Sequence, residues 1–224
     1  MTLPPAAILD LEGGLVEDVA VSELELPRNL LSALGEDDEW VASLPAMLDE
    51  LSRRWSLQLE PPFQPGGSAS WVAPVRNAVG EPLVLKVGWP HTDALEEAAG
   101  LRAWNGDGAV RVLDVLAIDG SRALLLERCD PGTALAGTKP PLEQDAVVAK
   151  LLRRLWIEPP GDHLFPSLHD MCQRWADAFE EKFAAVADHG ERLDPGLGRA
   201  GMELFRGLPA TSERCLLLCT DLHP

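Results

Sequence analysis

Trp40, Leu44, Leu48, Leu51 and Trp55 recur at spacings of 4, 4, 3 and 4, which lays an apolar stripe along one face of a helix. Ser43 is the predicted cap, with Pro45 in the first turn and Trp40 just ahead of it. From Leu57 to Arg128 the pattern changes to short alternating runs. Ser70–Val75 and Pro82–Trp89 flank a turn-like stretch containing Gly80 and read as a hairpin. Asp93 to Trp104 reads as a helix capped by Asp93, with Leu95, Ala98, Leu101 and Trp104 on one face. Two further β runs, Val110–Ile118 and Ala123–Glu127, are joined at Asp119-Gly120.

Beyond Asp130-Pro131-Gly132 the period is helical. Val147, Val148, Leu151, Leu152 and Leu155 form one face, and Leu168, Met171, Cys172, Trp175, Phe179, Phe183 and Val186 form another. The second helix opens at Ser167 with Asp170 three residues on, a variant of the capping box. Gly196 to Leu208 predicts a weaker, glycine-interrupted helix, and Cys215–Cys219 reads as a buried strand. The chain is therefore predicted as α+β. A β-rich lobe over 28–128 meets a helical lobe over 129–224 at a cleft near Glu127–Pro131. Residues 1–27 are acidic and aperiodic, either a flexible arm or a short strand-containing lead-in. Trp40, Trp55 and Trp104 sit on core-facing stripes and are expected to be structural.

Composition narrows the function classes. Of 224 residues, 46% are hydrophobic and 25% charged, enough apolar content for a core. Nineteen Lys and Arg against 36 Asp and Glu give a net charge of −17, which repels phosphate backbones and anionic lipid surfaces. Nucleic acid and membrane are thus not expected partners, and a cationic small molecule is. No apolar run approaches the ~18 residues of a membrane span, and the start of the chain lacks a signal-peptide pattern. The four cysteines show no C-x-x-C spacing, so neither a zinc site nor a disulfide framework is expected, and a cytoplasmic location follows.

Three places carry chemistry. Lys86 lies inside a strand in which Leu83, Leu85 and Val87 face one way and Val84 and Lys86 the other, so its ammonium needs a carboxylate or an open cleft. Glu96 and Glu97 at the start of the next helix are placed to supply the carboxylate. Gly66-Gly67-Ser68 form a glycine turn whose N–H groups suit phosphate oxygens, or a plain turn. Asp221, just past the apolar run, either orients a hydroxyl proton or solvates a strand end together with His223.

The order glycine turn, strand Lys86, helix Glu97, Leu124-Leu125-Leu126-Glu127-Arg128 with Pro131-Gly132, and Thr220-Asp221-Leu222-His223-Pro224 resembles the aminoglycoside phosphotransferase group of the protein-kinase-like fold. Trp55-Ser56-Leu57, Pro65-Gly66-Gly67, Glu97-Ala98-Ala99-Gly100-Leu101 and Gly108-Ala109-Val110-Arg111-Val112-Leu113 bring it nearest to the aminoglycoside/hydroxyurea antibiotic resistance kinase branch. The resemblance spans residues 28 to 224. It implies a two-lobe kinase-like fold and phosphoryl transfer from ATP or GTP, with Mg2+, to an alcohol of a cationic antibiotic. Lys86 would hold the α- and β-phosphates, fixed by Glu97, with Glu96 as the alternative. Gly66, Gly67 and Ser68 would cover the phosphates, and Glu127 to Cys129 would form the hinge that meets the adenine edge with main-chain groups. Asp221 would be the catalytic aspartate, with His223 supporting the catalytic loop.

The chain departs from the family pattern in two ways. Cys219 stands where the catalytic loop begins with His, and Pro224 precedes the asparagine and later aspartate that hold metal in such kinases. No metal ligand is therefore assigned, and the expectation is that the chain as given does not transfer phosphate. The rival readings are a kinase of the same fold for another metabolite hydroxyl and a non-catalytic pseudokinase remnant.

Overall fold

The computed structural model describes residues 24–90, 94–187 and 194–220. Its order is α1 (Arg28–Leu34), α2 (Glu39–Trp55), β1 (Gln58–Leu59), β2 (Ser70–Arg76), β3 (Pro82–Gly88), α3 (Ala94–Trp104), β4 (Val112–Ile118), β5 (Ser121–Glu127), α4 (Pro141–Leu155), α5 (Leu168–Ala187) and α6 (Pro195–Gly207). The architecture is α+β. The strands form one antiparallel sheet in the order β1-β2-β3-β5-β4.

Period-2 alternation in the strands fixes two different surfaces. Trp71, Ala73 and Val75, with Leu83, Leu85, Val87, Ala123 and Leu125, pack in one buried cluster with Leu30 of α1 and Leu44, Met47, Leu48 and Leu51 of α2. The opposite face carries Leu124 and Leu126, which pack with Ala98 of α3 and half-buried Val84, Val112 and Val115. The sheet is thus covered on one side by α1 and α2 and on the other by α3. Asp119 and Gly120, at φ 45° and 79°, make the left-handed turn that joins β4 to β5.

The start of α2 differs from expectation. Asp38, not Ser43, caps the helix, its carboxylate accepting from Trp40 N at 2.9 Å and Val41 N at 3.3 Å. Trp40 therefore lies in the first turn and Pro45 lies inside the helix. An interior proline costs about 3 kcal/mol, but each fully buried Leu or Met contributes about 1.5–3 kcal/mol. Leu44, Met47, Leu48 and Leu51 are all at most 2% exposed, so their burial outweighs the lost hydrogen bond. An arm ending at Pro27 also needs correction at its last four residues. Leu24 and Leu26 pack on the core, and the Trp71 indole donates to Glu25 O at 3.3 Å. The expected cap Asp93 lies outside the described residues.

The three tryptophans are anchored through their indole N–H groups. Trp40 donates to Ser121 Oγ at 2.7 Å, Trp55 to Asp114 Oδ2 at 2.8 Å and Trp104 to Leu155 O at 2.8 Å. The last bond ties α3 to the end of α4. Arg154 reinforces that junction with an ion pair to Asp107, and the turn at Gly108 (φ 86°) approaches Leu151 and Leu155 so closely that a Cβ would fall at 3.1–3.2 Å from their methyls.

In the helical half, Ser167 Oγ accepts from Asp170 N at 3.1 Å and donates to the Asp170 carboxylate at 2.6 Å, as the capping pattern predicts. Leu155, Cys172, Ala176 and Met202 are buried, while Trp175, Phe179, Leu204 and Phe205 are exposed. The expected strand over Cys215–Cys219 does not form. Leu217 is buried and its N–H donates to Ile157 O at 2.8 Å, but Leu218 is exposed and no ladder follows. A strand needs a run of free partner groups, and the stretch after α4 offers one.

Candidate functional site

Period-2 alternation puts Lys86 on the α3 side of β3, between half-buried Val84 and the buried, side-chain-free Gly88. Its Nζ meets Glu97 Oε1 at 2.5 Å. Glu97 stands in the first turn of α3, where a carboxylate also complements the helix dipole. The two side chains are 25% and 37% exposed, so the pair is worth little to stability and acts mainly by aiming the ammonium. Glu96, the alternative partner, lines the same cleft, but the observed bond goes to Glu97.

That cleft is about 1610 Å³ and lies between the α3 face of the sheet, the glycine turn and the segments around residues 159–175 and 209–220. Gly66, Gly67 and Ser68 line it, but the two glycines serve different ends. Gly66, at φ 74°, sits against α1: a Cβ there would collide with Pro27 Cβ. Asn29 holds the same turn through its N–H to Pro65 O at 3.0 Å and its side-chain amide to Gly66 O at 2.8 Å. Gly67 has open space, with only Ser70 Oγ within 4 Å of a built Cβ. The scaffold therefore uses Gly66, while Gly67 and Ser68 remain available to a ligand.

Glu127 and Cys129 do not line the cleft. The Glu127 carboxylate accepts from Arg111 N at 2.9 Å and Arg111 Nε at 2.7 Å, and those bonds hold its pKa below the ordinary value of 4.5. The carboxylate braces the end of β5, whereas the contact expected at the adenine edge is one of main-chain groups. Cys129 is exposed at a tight turn closed by Gly132, whose φ is 63°. Cys219 and Thr220 line the cleft, so the chain reaches it at the residue before Asp221. Asp221 and His223 themselves lie outside the described residues.

Sequence reasoning passed over Arg122, Arg214, His163 and His169, all of which line the cleft. Arg122 was readable from alternation with Leu124 and Leu126 on β5. The others had no signal, because they come to the cleft on loops or at helix starts with no fixed period. In a chain of net charge −17, this cleft gathers cationic and titratable nitrogen side chains. Among the described residues no group of three or more His, Cys, Asp or Glu side chains is placed to hold a metal ion.

The sequence model of the aminoglycoside/hydroxyurea antibiotic resistance kinase family matches residues 54–199. The chain belongs to this family. Among the resistance-kinase relatives it is 34% identical to a streptomycin 6-kinase of Streptomyces glaucescens over 174 residues, covering 75% of this chain and 55% of that protein. It is 39% identical to a streptomycin 6-kinase of Streptomyces griseus over 128 residues, 56% of this chain and 41% of the other. A hydroxyurea phosphotransferase of Kitasatospora aureofaciens is 37% identical over 184 residues, 80% of this chain and 52% of that protein. The chain thus spans about half the length of the curated relatives it matches. Among the described residues no helix is long and apolar enough to cross a membrane.

Proposed function

We propose that this chain carries the nucleotide-holding part of a phosphotransferase that moves a phosphoryl group from ATP or GTP to an alcohol of an aminoglycoside-like antibiotic. The observation that carries the reading is the Lys86–Glu97 pair on the cleft face of β3, with Gly67 and Ser68 on the same cleft. A lysine aimed by a carboxylate keeps two N–H donors for phosphate oxygens, and open backbone at Gly67 lets N–H groups come close. The reading takes a protein-kinase-like two-lobe fold, with a nucleotide lobe from Leu24 to Arg128 and a helical lobe from Cys129 onward. The link at Glu127 to Cys129 joins them.

In the reaction, the acceptor oxygen attacks the terminal phosphorus, the bond to the bridging oxygen breaks, and the nucleoside diphosphate leaves. Asp221 takes the hydroxyl proton, with His223 supporting its loop. Lys86 steadies charge on the phosphates throughout. Magnesium, which the family implies, meets no suitable cluster among the described residues. The net charge of −17 suits a cationic acceptor, and use of a nucleoside triphosphate fits a cytoplasmic enzyme.

The test is transfer of labelled phosphate from ATP by protein expressed from its complete reading frame, offered streptomycin, other aminoglycosides, hydroxyurea and amino alcohols. Label on an aminoglycoside supports the reading. Label only on another hydroxyl makes it a metabolite kinase, and nucleotide binding without transfer to any acceptor makes it a pseudokinase.

A further inference from the structure

Three neighbouring strands end in one row. Ser70 of β2 pairs with Gly88 of β3, Gly88 pairs with Arg122 of β5, and all three line the cleft. Alternation puts Arg122 on the same face as Leu124, which stands opposite Lys86 in the register. Lys86 and Arg122 are therefore diagonal neighbours on one surface, a separation of roughly 7–8 Å with their Cβ atoms somewhat nearer. Gly88, directly opposite Arg122, and Leu124, directly opposite Lys86, complete the square, so its β3 corner is bare backbone and its β5 corner carries the Leu124 side chain.

The two cations differ in one respect. Lys86 is answered by Glu97, whereas the half-buried Arg122 guanidinium has no carboxylate or hydrogen-bond acceptor among the described residues. A charged group partly withdrawn from water without a counter-ion raises the free energy of the empty cleft and favours an incoming anion. A planar fork of N–H donors fits two oxygens of a phosphate, and the spacing to Lys86 suits adjacent groups of a polyphosphate.

We propose that Arg122 is a second phosphate-holding residue, which works beside Lys86 and makes the cleft prefer nucleoside triphosphates to the same nucleosides with fewer phosphates. The proposal rests on the nucleotide reading of the cleft. It adds a residue and a selectivity which that reading does not require.

The experiment measures calorimetric affinities of the protein for ATP, ADP, AMP, adenosine and inorganic tripolyphosphate, in wild type, Arg122→Gln and Arg122→Lys. Losing one charge-assisted pair should weaken ATP and tripolyphosphate by about 10- to 100-fold in Arg122→Gln. Adenosine should bind as to wild type, so the ATP-to-adenosine ratio falls by that factor. Arg122→Lys should recover part of the loss, because it keeps the charge and loses the fork. Wild-type ATP affinity in Arg122→Gln, or equal weakening of ATP and adenosine, overturns the role of Arg122 and leaves the nucleotide reading standing. Wild-type protein that binds neither ATP nor tripolyphosphate overturns both. If Arg122→Gln does not fold, the comparison is read from Arg122→Lys, where an unchanged ATP-to-adenosine ratio overturns the proposal.

Discussion

Trp40 donates its indole N–H to the buried hydroxyl of Ser121 at 2.7 Å, joining the first turn of α2 to the first residue of β5 across 81 positions of chain. Both groups are withdrawn from water, so each depends on the other. Ser121→Ala should leave the indole N–H buried without an acceptor and cost about 1–3 kcal/mol of folding free energy. The check is a lower urea midpoint with an unchanged slope. An unmoved midpoint would show that the bond contributes nothing.

Lys86→Ala and Glu97→Gln should leave the unfolding midpoint near wild type, since a pair this exposed adds little to stability. In protein expressed from the complete reading frame, transfer should fall by about 10²-fold or more, because preorganised charge at the phosphates supplies much of the rate enhancement in such chemistry. Steady-state kinetics with labelled ATP, beside circular dichroism of each variant, separates the two effects. Full activity in Lys86→Ala would remove Lys86 from the mechanism.

Gly66→Ala and Gly67→Ala should part company. At Gly66 a methyl group collides with Pro27 on a left-handed backbone, so a loss of about 1–3 kcal/mol is expected. At Gly67 the new methyl has room, and folding should be unaffected while nucleotide affinity drops. Thermal unfolding with nucleotide titration reads both. Equal destabilisation of the two variants would contradict the division of labour between scaffold and site.

The Glu127 carboxyl is held below 4.5 first by its side-chain hydrogen bond from Arg111 and then by the Arg111 backbone N–H. A depressed folded-state pKa contributes stability above the unfolded value, and that stability is lost as pH falls through the folded value. Glu127→Gln should therefore lower stability at neutral pH and flatten its decline below about pH 4.5. Urea midpoints from pH 3 to 7 for the two proteins test this. Parallel curves would show that the pair has no part in acid sensitivity.

Much of the sheet half was legible because its signals are local. Alternation in Leu83–Val87 assigns Lys86 to one face, and the acidic start of the next helix narrows its partner to Glu96 or Glu97. Legibility failed where tertiary packing decided. Ser43 and Asp38 are both reasonable caps, and only burial of the Leu44–Leu51 stripe extends the helix upstream of Pro45. The apolar run Cys215–Cys219 carries strand propensity, yet a strand also needs a neighbour, which no periodicity reveals. The bond between the Glu127 carboxylate and Arg111 had no local signal either, because the β4–β5 register brings the two together.

Ser121 and Arg122 are consecutive, so one points into the α2 core and the other into the cleft, and the turn at Asp119-Gly120 sets which is which. A slip of β5 by a single residue would send a guanidinium among Leu44, Leu48 and Leu85 and turn the hydroxyl outward, away from its indole. The hairpin is thus a length gauge for the charge pattern of the ligand site. Residue types in that turn are free to drift so long as the left-handed backbone is kept. Strand offsets there are tolerable only in steps of two, which ties the heritable variation of a surface loop to the chemistry on the sheet face behind it.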